Sequence, residues 1–140
     1  MLSILIWIKL ALASFGVFIS WFIGGADTLV YALIIFIVVD YVIGVMKRAI
    51  NKELSSDTGM REIFKKIIII LLVGMANIID IYLVRSDNAP LRTVVTFFYI
   101  SNQGISILEN AALSGLPVPE VLKNALMKFQ KKTDSLSKKE

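Results

Sequence analysis

The sequence predicts an all-α, multi-pass membrane protein, and three observations carry that expectation. Apolar residues make up 56% of the 140-residue chain, above the roughly 45–50% of a soluble domain. They are gathered into long runs, with charge concentrated between the runs and at the C-terminus. The runs match the ~20 apolar residues that a helix needs to cross about 30 Å of hydrocarbon.

The first span is expected over residues 4–23, interrupted only by Lys9, which lies close enough to the N-terminus to reach the surface. Ala11-Leu12-Ala13 has the form of a signal-peptidase site, but Lys9 falls inside the apolar core, so cleavage is not expected. Gly24-Gly25-Ala26-Asp27 reads as a short turn, and a second span follows over residues 28–46 with Asp40 as its single charge. Residues 47–66 are a polar break holding six basic residues. A third span, residues 67–84, opens on seven consecutive aliphatics and ends before the turn Arg85-Ser86-Asp87-Asn88-Ala89-Pro90.

The fourth candidate, residues 93–113, is more polar. As a helix it places Thr96, Tyr99, Asn102, Gln103, Ser106, Glu109 and Asn110 on one face, at spacings of three and four. Such a helix can span a bilayer if its polar face meets other helices or water. Gly115, Pro117 and Pro119 end it. Residues 119–132 then form a further amphipathic helix, whose Lys123, Lys128, Lys131 and Lys132 suit the anionic surface of a membrane. Thr133 to Glu140 reads as a charged, disordered tail.

Basic residues set the orientation. Six lie in 47–66 and six after Gly115, against two in 85–92 and none in 24–27. Four spans with both termini cytoplasmic fit these counts; three spans, with 93–113 flat or re-entrant, is the alternative. The expected organisation is a transmembrane region over 1–115 and a cytoplasmic amphipathic helix and tail over 116–140.

The chain has no cysteine and no histidine. Thiolate and imidazole nucleophiles, Ser-His-Asp triads and the usual zinc sites are therefore excluded. No catalytic residue, metal or cofactor is expected. The net charge of +4 lies beside apolar segments with no aromatic-and-basic stripe, which favours a membrane surface over nucleic acid.

Carboxylates at membrane depth cost roughly 2.5–3.5 kcal/mol on insertion scales, so each calls for a reason. Asp40, Asp80 and Glu109, with Asn77 one turn from Asp80, either line a lumen or subunit contact or are neutralised inside a static bundle. Gly16, Ser20 and Gly24, and again Asp40 and Gly44, place small residues at spacings of four that permit close helix approach.

Asp40-Tyr41-Val42-Ile43-Gly44-Val45, followed by Leu54-Ser55-Ser56 and Gly59, resembles the opening pattern of the small holin family of phage lysis and clostridial toxin release. Ile105-Ser106-Ile107-Leu108-Glu109-Asn110, then Gly115-Leu116-Pro117-Val118-Pro119, resembles the closing pattern. The resemblance covers roughly residues 30 to 130. It implies a protein that accumulates in the bacterial cytoplasmic membrane, self-associates and opens lesions through which an endolysin or toxin leaves, without necessary direct contact with that cargo. Asp40, Gly44, Glu109 and Asn110 match motif positions as structural signatures. Dual start codons, used by some holins for timing, are not visible, since no methionine lies between Met1 and Met46.

Other function classes remain open to this sequence. A small channel or transporter would show broken helices or inverted repeats, and neither is found. A non-catalytic subunit of a larger membrane complex is the further alternative.

Overall fold

The computed structural model describes residues 1–138, so Lys139 and Glu140 lie outside the described residues. Five α-helices follow one another: α1 (Leu2–Phe22), α2 (Thr28–Ile50), α3 (Ser56–Ile79), α4 (Pro90–Leu113) and α5 (Glu120–Lys138). A π-helical turn, Asp80–Val84, extends α3. Among the described residues there is no strand.

Local chemistry explains where the helices start and stop. Gly24 and Gly25 take φ of +89° and +94°, which suits glycine and turns the chain out of α1. The Asp27 carboxylate then accepts from the Val30 N–H at 3.0 Å and caps α2. Lys47 and Arg48 fill the last turn of α2, where cations suit the helix dipole. Pro90 opens α4, where its missing N–H is not needed.

Two boundaries differ from the sequence-based expectation. The polar break expected over 47–66 shrinks to a turn of residues 51–55, because α3 begins at Ser56 with Asp57 favoured in its first turn. The tail expected to be disordered continues α5 to Lys138. Thr133 is buried, and Leu136 lines a cleft with Thr93, Val94 and Phe97 of α4, so tertiary contact holds the helix that composition alone would not.

Three helical segments, Leu2–Phe22, Thr28–Ile50 and Ser56–Val84, are long and apolar enough to cross a membrane. No residue of α1 is buried, and it leaves the bundle except near Phe22. α4 lies against α2, α3 and α5, so its fit to the bundle rests on packing. Ile23, Val30, Leu33, Ile69 and Val73 form the apolar core, backed by Phe22, Val95, Tyr99 and Ile100. In lipid, burying these side chains yields no hydrophobic drive, since tails are as apolar as leucine. Tight packing and polar contacts must therefore fix the helix arrangement.

Candidate functional site

The apolar core lies between two buried polar clusters, one from mid-helix to the 51–55 end of the bundle and one at the 24–27 end. Asp40 lies near the middle of α2, Lys66 in α3 and Gln103 in α4. The Lys66 Nζ donates to Asp40 Oδ2 at 2.7 Å and to Gln103 Oε1 at 3.1 Å. Asn110 Nδ2 approaches the other Asp40 oxygen at 3.4 Å, and the Glu62 carboxylate lies 3.9 Å from Lys66. The Asp40 and Lys66 side chains are 4% and 9% exposed, so this ion pair is screened from solvent. Burying two charges is costly unless geometry and extra hydrogen bonds offset desolvation; here one oxygen has Lys66 and the other Asn110.

Beside the pair opens a cavity of about 630 Å³, lined by Asp40, Lys66, Tyr99, Gln103, Glu109 and others including Asn102 and Ser106. Five of the seven polar residues expected on one face of α4 line this cavity, while Asn110 lines a second cleft and Thr96 donates to the Arg92 carbonyl. Glu109 stands at the cavity's exposed margin, and its carboxylate makes no ion pair among the described residues. Towards the 51–55 end a second cleft brings Gly44 and Asn110 together with Lys47, Arg48 and Glu53. The Arg48 Nε is buried there without a hydrogen-bond partner among the described residues.

Asp80 and Asn77 occupy the opposite end and do other work. Asp80 accepts from the Leu91 N–H at 3.1 Å and the Arg92 N–H at 2.8 Å, satisfying two orphan donors at the start of α4. Asn77 donates to the Phe22 carbonyl at 2.9 Å and ties α3 to the end of α1. Arg92 completes this clasp: it donates to the carbonyls of Ile23 and Gly25 and to Asp27 Oδ2. The guanidinium's hydrogen bond holds the Asp27 carboxyl below its ordinary range, against a smaller opposing effect of burial.

The glycines divide in the same way. At Gly24 a Cβ would meet Asn77 and Arg92, and at Gly74 it would run into the Phe22 ring. At Gly44 it would meet Arg48 and Asn110 at ordinary distance. Gly16 has nothing within 4 Å, and Ser20 lines an open groove beside it, so of the first-span stripe only Gly24 is used for close packing within the chain. Lys123, Lys128, Lys131 and Lys132 are exposed along α5.

Lys66 and Arg92 were missed as site residues because both were counted as orientation charges. Each carries a signal in retrospect. Lys66 shares a helical face with buried Ile69 and Val73, and Arg92 is a cation in a first turn, where the dipole disfavours one.

The profile of the bacteriophage holin family matches residues 17–131. An uncharacterized protein of Clostridium perfringens is 40% identical over 134 residues, covering 94% of this chain and 97% of the relative. One from Listeria innocua is 41% identical over 126 residues, covering 90% and 89%. A probable holin of Bacillus phage phi105 is 32% identical over 103 residues, covering 74% and 75%. No solved structure matches the chain.

Proposed function

Because the chain belongs to the bacteriophage holin family, we propose that it self-associates in the bacterial cytoplasmic membrane and opens lesions that release an endolysin, or an exported toxin, to the wall. The observation that carries this reading is the Asp40–Lys66–Gln103 seam with its open polar cavity, set among helices whose outer faces are apolar. Within one chain the Asp40–Lys66 pair is already covered, and what stays open is the cavity margin at Glu109. A polar margin in lipid must be covered; copies of the chain cover it with identical faces, and a large enough ring turns those faces to water.

Four spans complete the proposal, with α4 as the fourth and the N-terminus, the 51–55 turn and the 114–119 turn on the cytoplasmic side. The basic residues around 47–66 and after Gly115 support that orientation. Gly16 and Ser20, free within the chain, are the candidates for close approach between copies. Family membership points to a pore protein rather than an enzyme.

The test is inducible expression in a bacterium, following membrane potential and escape of a co-expressed endolysin. Abrupt depolarisation after a delay, with enzyme release, is the expected result. Depolarisation without release would replace the lesion with a small channel, and no effect would leave a subunit that needs a partner.

A further inference from the structure

The sequence alone sends the apolar stripe of α5 to a membrane surface. In the folded chain α5 runs antiparallel along α4, with Leu126 of that stripe half-buried and Val121, Leu122 and Phe129 still exposed. Leu126 sits on Gly104, its methyl carbons 3.0 Å from where a Cβ would stand. Gln130 joins Asp40, Lys66 and Gln103 around the cavity. Phe129, Lys132, Thr133 and Leu136 line one cleft with Thr93, Val94 and Phe97. The contact therefore runs from Gly104 back to Thr93, roughly 16 Å at 1.5 Å per residue, which is over half of the ~30 Å hydrocarbon layer.

This docking gives the bundle two unlike sides. Residues such as Trp7, Phe15, Ile35, Val38, Ile68 and Leu71 expose apolar surface on α1, α2 and α3. α5 exposes Lys123, Lys128, Lys131 and Lys132, interleaved with Val121, Leu122, Met127, Phe129 and Leu136. In all, α5 carries five lysines against Glu120 and Asp134, an excess of three positive charges. Facing lipid, each lysine near mid-membrane would cost roughly 2.5–3.5 kcal/mol on insertion scales. Water on the α5 side and lipid on the other satisfies both.

On the pore-forming reading above, we propose that α5 lines the aqueous path of the assembly and makes it favour small anions over cations. Docking on α4, already made within a single chain, holds α5 at the lumen, where its charge repels cations and concentrates anions.

The experiment uses the full-length protein in planar bilayers under a potassium chloride gradient near 0.01 M, where the Debye length is about 30 Å and wall charge reaches far into a wide path. The wild type is expected to show a reversal potential on the chloride side. The triple variant K128E/K131E/K132E is expected to conduct with its reversal potential moved to the potassium side. Equal reversal potentials in the two proteins would overturn the inference and return α5 to the membrane surface. If the triple variant does not assemble, K128C serves instead, because the chain has no other cysteine. Conductance should then fall on modification with a bulky anionic thiol reagent, and unchanged conductance after complete modification would overturn the inference. A wild type that never conducts would sink the pore reading itself, and this inference with it.

Discussion

Replacing Lys66 by methionine is the sharpest test of the polar seam. The substitution keeps the length of the side chain and removes the charge that faces Asp40 at 2.7 Å. At an effective dielectric near 20, that separation corresponds to an attraction of about 6 kcal/mol, which desolvation of both groups offsets in large part. What the variant exposes is the other side of that balance. Asp40 stays 4% exposed, with the long contact to Asn110 at 3.4 Å as its remaining partner. Stranding one member of a buried pair costs about 3–5 kcal/mol, and the Gln103 amide, released from Lys66, can turn to donate and hold the cost near the lower figure. The double variant D40L/K66M removes both charges and should recover most of the loss, since apolar replacement of a whole pair is often neutral. Unfolding by SDS in detergent micelles, followed by circular dichroism, reads both. A K66M cost below about 1 kcal/mol, or a double variant no more stable than the single, would refute a buried, mutually dependent pair.

Three further outcomes follow from the clasp at the other end. Gly74→Ala drives a methyl into the Phe22 ring and should cost about 1–3 kcal/mol; adding Phe22→Ala should relieve it, measured by the same unfolding assay. Asp80→Ala leaves the buried Leu91 and Arg92 N–H groups without acceptors, at about 2 kcal/mol or more. Faster hydrogen exchange at those two amides, partly restored in Asp80→Asn, is the check. Asp27 is held below its ordinary 3.8 chiefly by the hydrogen bond from Arg92. A depressed carboxyl adds stability above its unfolded pKa and loses it as pH falls through the folded value. The stability gap between wild type and Asp27→Asn should thus be constant at neutral pH and close once pH drops below 3.8. A gap that persists in acid would mean that capping of α2, which Asn can also supply, carries none of the difference and neither does charge.

Much of this was legible in the sequence because a lipid solvent imposes a simple rule. Runs of apolar residues about 20 long, with charges between them, predict helices long enough to cross a membrane, and three such helices are present. Periodicity in residues 93–113 also placed Tyr99, Asn102, Gln103 and Ser106 on one face, and the fold gathers them around one cavity. The two blocks of family-like residues, around Asp40 and around Glu109, pointed to the family whose profile matches residues 17–131.

Partners across helices were not legible, because pairing depends on how deep and at what rotation three helices meet. A lysine at the head of an apolar run reads as a topology signal until α3 turns it onto Asp40 of α2. Asp80 reads as a stranded intramembrane charge until α4 brings its first two N–H groups to it. The contact of α5 with α4 was not legible either: it depends on Gly104, which lacks a side chain where Leu126 arrives. Composition and period act along one chain and so fix each helix by itself. Charge pairing and close approach act between chain segments far apart in sequence, and only the folded arrangement sets them.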